Sequence, residues 1–162
     1  MVKIRRKLLL ATLWAPYVAY GRPSPFVDLK GAPTALSPAE INGLFRQCSR
    51  PAPRPDRVLG APSKTEIERL ERGLESFIFA ENEAGRRVPD RGVPYARQYA
   101  AFSRKGRRLI YGSFFPAEVG LPPPPGPAGK AIIWCDGGGS VWGVVYDPGR
   151  DRYSDLQING FA

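Results

Sequence analysis

The 162 residues carry 24 Lys and Arg against 15 Asp and Glu, with two cysteines and no histidine. Without histidine the usual general base, the Ser-His-Asp and Cys-His arrangements and histidine metal sites are excluded. The formal charge of +9 includes four bases (Lys3, Arg5, Arg6, Lys7) and no acid within 1–21; without that segment it is +5, a moderately basic chain short of the extreme expected of a nucleic-acid binder.

The first 21 residues read as a secretory leader. A basic start, Met1 to Lys7, is followed by the apolar run Leu8 to Val18 and by small residues at Ala19 and Gly21. The run is short for a bilayer crossing and Pro16 interrupts it, so cleavage near Arg22 is expected, leaving no stable transmembrane segment. The expected location is the periplasm or the exterior. About 140 residues then remain, enough for one domain with a real core.

Residues 22–36 read as an extended N-terminal segment, and 37–162 as a single domain. Ser37-Pro38-Ala39-Glu40 is a helix-start pattern, and Ile41, Leu44 and Phe45 follow at helical spacing, predicting a short helix over 38–47. The Pro/Arg stretch 50–57 cannot continue it and serves as a stiff connector. Ser63-Lys64-Thr65-Glu66 is a second capping box. From it Ile67, Leu70, Leu74, Phe77 and Ile78 draw one apolar stripe, opposite Glu68, Arg69, Glu71, Arg72 and Glu75. The mixture of acids and bases on the polar side favours core packing over membrane adsorption.

Residues 81–94 read as a polar loop. A hairpin is predicted from 95–103 and 107–115 around Arg104-Lys105-Gly106. A two-residue turn sets Tyr99 opposite Gly112 and Phe102 opposite Leu109; a three-residue turn sets Tyr99 opposite Tyr111 instead. Residues 120–129, with four consecutive prolines, form a second connector in polyproline II, spanning roughly 20–30 Å. The last strands are predicted at 131–136, 140–146 and 152–158, separated by turns at Asp136-Gly137-Gly138-Gly139 and Asp147-Pro148-Gly149-Arg150-Asp151. In an oxidising compartment Cys48 and Cys135 are expected to form a disulfide. The expected fold class is α+β: an amphipathic helix packed on a five-stranded antiparallel meander, preceded by a short helix.

Arg97-Gln98-Tyr99, Ile110-Tyr111-Gly112-Ser113-Phe114, Cys135-Asp136-Gly137-Gly138, Trp142-Gly143-Val144 with Tyr146-Asp147, and Asn159-Gly160-Phe161-Ala162 together resemble a family of small exported bacterial proteins of unknown function. That resemblance covers most of the chain after the leader and implies no reaction, cofactor or catalytic residue. The layout is also similar to the cystatin-like arrangement, although the Gln-x-Val-x-Gly loop of protease-binding cystatins is absent.

Two distant cysteines make no zinc site, and no metal or cofactor is expected. The glycines at 137–139 are followed by a strand pattern and by no Gly-Lys-Ser/Thr, so they form a turn and no phosphate loop. Asp136, Asp147, Asp151 and Asp155 are explained by turns and solvent, leaving no carboxylate pair for glycoside hydrolysis. The candidate interaction surface is Arg97, Tyr99, Arg104, Lys105, Arg107, Arg108 and Tyr111, bases interleaved with aromatics on one hairpin. The expected function is non-enzymatic: an exported binding or accessory protein of the cell envelope. The expected partner is another envelope or secreted protein, with an anionic polymer as a further candidate and nucleic acid disfavoured by export. The alternative is an inhibitor of a secreted hydrolase, with the turns at 136–139 and 147–151 as wedges.

Overall fold

The computed structural model describes residues 24–117 and 129–161; the leader expected at 1–21 and residues 120–128 of the second connector lie outside them. In chain order the elements are β1 (Asp28–Leu29), a 3₁₀ turn (Ile41–Phe45), β2 (Arg57–Gly60), α1 (Lys64–Glu83), β3 (Pro94–Arg104), β4 (Arg107–Pro116), a second 3₁₀ turn (Gly138–Ser140), β5 (Trp142–Asp147) and β6 (Arg152–Ile158).

Helix α1 begins where its capping box places it. The Ser63 hydroxyl accepts the Glu66 N–H, and the Glu66 carboxylate accepts the Ser63 N–H at 2.8 Å. Its stripe is buried, with Leu70, Leu74 and Ile78 fully enclosed. The β3–β4 hairpin takes the two-residue turn, pairing Tyr99 with Gly112 and Phe102 with Leu109. Lys105 and Gly106 both hold positive φ, 52° and 72°, the left-handed pair that matches the twist of the flanking strands.

The expected five-stranded antiparallel meander is not what forms. The sheet has six strands and is mixed: its order is β1-β3-β4-β5-β6, β1 runs parallel to β3, and β2 pairs antiparallel with β3. The long β3 accepts β1 near Pro94–Tyr95 and β2 near Ala101–Ser103. The sheet is curled. Tyr153 on β6 donates to the Leu70 carbonyl while Tyr99 on β3 donates to Glu71, so strands three positions apart reach adjacent residues of α1.

Two further expectations fail locally. Residues 131–136 are not a strand: their backbone is bound by side chains, with Ala131 N–H donating to Glu40 and Ile132 N–H to Gln98. The helix expected over 38–47 is a five-residue 3₁₀ turn. Gly43, a poor helix former, lies at its centre, and an added Cβ there would sit 3.1 Å from the Ala131 side chain.

Both faces of the sheet are covered. Against α1 lie Tyr95, Tyr99, Ile110, Phe114, Trp142, Val144 and Tyr146. Phe114 and Trp142 stack with ring centres 3.9 Å apart. On the far face Ile41, Leu44 and Phe45 cover Phe102, Leu109, Tyr111 and Val145. No helix among the described residues is long and apolar enough to cross a membrane.

Candidate functional site

The seven residues of the candidate surface lie in three places, because neighbours along a strand face opposite ways. Arg97 and Tyr99 are buried under α1. The Arg97 guanidinium donates to both oxygens of Glu71 at 2.9 and 3.2 Å and to the carbonyls of Lys30 and Gly31, while the Tyr99 hydroxyl donates to Glu71 at 2.9 Å. Burial, and then the Glu71 charge, push the Tyr99 phenol well up. Tyr111 is buried on the far face. Burial raises its phenol as well, with nearby Arg50 pulling the other way. Only Arg104, Lys105, Arg107 and Arg108 reach solvent, at the turn end of the hairpin.

The segment 129–140 crosses the far face as a strap and accounts for most of the C-terminal motif. A disulfide joins Cys48 to Cys135, with Cα atoms 5.0 Å apart, and both cysteines are exposed. Gln98 donates to the Lys130 carbonyl and accepts from Ile132. Asn159 donates to the carbonyls of Trp134 and Asp136, at 2.7 Å each, and accepts from Arg50 at 2.5 Å. The 4%-exposed Arg50 also reaches Tyr111 and Ser113. Arg50, Gln98 and Asn159 were illegible as a cluster in the sequence, since 109 residues separate Arg50 from Asn159. Their chemistry is that of a clamp: among the described residues Arg50 pairs with no carboxylate, and the three side chains that accept from it are neutral.

The exposed bases of the hairpin sit at one end of the sheet. The β3–β4 turn, the β5–β6 turn and the start of α1 meet there, as ion pairs show: Arg108 with Glu66, Arg107 with Asp147 and Arg69 with Asp151. Between them lies a groove of about 450 Å³ lined by Arg107, Arg108, Asp147, Pro148, Gly149 and Arg150. Asp147 points inward, accepting the N–H groups of Gly149 and Arg150 and a guanidinium N–H of Arg107. Glu66 is likewise occupied: Arg108 above all, with help from Ser63, holds its carboxyl down at about 2. The Arg107 and Arg108 side chains stay 41% and 43% exposed. Arg150 belongs to the turn expected at 147–151, and nothing local to it signals that it stands beside Arg107.

No group of three or more Cys, Asp or Glu able to hold a metal is present among the described residues. No protein-family model matches the chain, and no curated protein or solved structure matches it significantly.

Proposed function

We propose that this is an exported, non-enzymatic binding protein of the cell envelope that engages an acidic partner through the end of the sheet where β3–β4 and β5–β6 turn. The observation that carries the reading is the meeting of Arg107, Arg108 and Arg150 around one open groove while the hairpin's aromatic residues are buried. A surface of exposed guanidiniums without a stacking platform attracts anions by charge and does not grip bases. Export is supported by the leader pattern at 1–21 and by the Cys48–Cys135 bridge, which persists in oxidising compartments.

The inhibitor alternative has less support, because Gly138 and Gly139 are buried, which leaves the 147–151 turn as its wedge. The test is capture from an envelope extract at low salt, using wild type and a double charge reversal, Arg107→Glu with Arg150→Glu. The expected result is an acidic envelope component held by wild type, released by salt and lost in the variant. Retention of the same component by the variant, or a hydrolytic activity that co-purifies with the chain, overturns the reading.

A further inference from the structure

The groove at the turn end has more detail than a patch of positive charge. Three guanidiniums line it, and most of their donors are unspent among the described residues. Arg107 uses only one terminal nitrogen, on Asp147. Arg108 spends Nε and one terminal nitrogen on Glu66, leaving the other. Arg150 is exposed, with only its backbone N–H engaged. The two acids beside them do not compete for those donors, since Asp147 already accepts from two backbone N–H groups and Arg107, and Glu66 from Arg108 and Ser63. Each carboxylate therefore orients an arginine and leaves its outer edge to solvent.

We infer that the groove lined by Arg107, Arg108 and Arg150 is a phosphate subsite, binding one phosphate group of a phosphate-bearing envelope polymer or lipid headgroup. This inference rests on the reading above that the turn end is the contact face. A carboxylate is satisfied by one guanidinium fork; a tetrahedral phosphate presents oxygens in several directions and uses forks arriving from separate elements. Here one guanidinium comes from the β5–β6 turn and two from the first residues of β4, Arg107 held by Asp147 and Arg108 by Glu66, and all three residues line the same groove. The groove is shallow and open, suited to one group of a long chain in passing and too exposed to enclose a small molecule.

The experiment titrates short-chain polyphosphate, phosphatidylglycerol vesicles and polyglutamate of matched charge into the isotope-labelled protein at low ionic strength, following backbone amide shifts. The expected result is saturable shifts at residues 107–108 and 147–150 with a phosphate-bearing ligand, and weaker binding of polyglutamate. Response to polyphosphate alone assigns the source to a polymer, and response to the vesicles alone assigns it to a lipid headgroup. Arg150→Glu should weaken binding about tenfold, the loss of one charge-assisted contact. Arg46→Glu, an equal charge change at an exposed residue beside the first 3₁₀ turn, should change it less than about twofold. Equal weakening by both variants, equal binding of polyglutamate, or no shift at 147–150 overturns the subsite. If the groove titrates while envelope capture fails, the functional reading falls and the subsite stands. If capture survives Arg150→Glu while phosphate binding does not, the subsite is real but is not the contact.

Discussion

Arg50 is the residue on which the far face turns. It sits in what reads as a stiff Pro/Arg connector, yet it is 4% exposed and donates to the neutral oxygens of Tyr111, Ser113 and Asn159. A buried guanidinium is tolerated only when its donors are met, so each of these oxygens offsets part of a desolvation cost. Asn159 matters most, because it also donates to the Trp134 and Asp136 carbonyls. Asn159→Ala removes an acceptor from a buried cation and two donors from the strap; urea denaturation should show a loss of about 3 kcal/mol. Ser113→Ala, which removes a single acceptor, should lose about 1 kcal/mol. Comparable small losses in both would show that the cluster does not act as a hub. The same logic explains Gly143, where an added Cβ would meet the Tyr111 hydroxyl at 2.5 Å and push that oxygen off Arg50. The motif residues of the C-terminal block were therefore visible as positions, while the reason for them, a clamp built across more than 100 residues, was not.

At the scale of elements, legibility followed the range of the interactions involved. Helix α1 and the β3–β4 hairpin are specified by residues a few positions apart: a capping box, an apolar stripe, and a Lys-Gly pair that accepts left-handed backbone. The strap departs from its strand pattern: Ile132, Ile133 and Trp134 have strand-forming side chains, but Glu40, Gln47, Gln98 and Asn159 take the backbone groups a neighbouring strand would need. β1 and β2 are too short to leave a pattern, and exist only because β3 is long enough to accept both. One element contact can be tested by pH. Glu66 joins the start of α1 to β4 through Arg108, and its carboxyl is lowered from 4.5 to about 2 in the folded protein. A lowered folded value contributes stability that is complete above about 4.5 and disappears as pH falls to about 2. Glu66→Gln should therefore lower the urea midpoint at pH 6 and leave it little changed near pH 2. A difference from wild type that persists undiminished at pH 2 would show that the pair is not what the glutamate supplies.

For the whole molecule, the question is which parts hold together unaided. α1 and the sheet share one core, and β3 and β4 pair along their full lengths, so neither depends on sulfur. The strap is different: side-chain hydrogen bonds hold its middle, a few backbone bonds hold its ends, and an exposed disulfide joining residues 87 apart ties it to Cys48. Closing a loop of that length stabilises the native state by about 4–5 kcal/mol on the chain-entropy model. Replacing both cysteines with serine should lower the urea midpoint accordingly, and the loss should be uneven across the chain. Hydrogen exchange should accelerate first in 129–140, including the Gly138 amide that donates to the Gly160 carbonyl, and at the Gly160 amide, which donates to Ser49 beside the bridge. The β3–β4 ladder should keep its protection until global unfolding. Uniform acceleration throughout the sheet would mean that the bridge supports the entire fold, and that the far face cannot open without losing the near one.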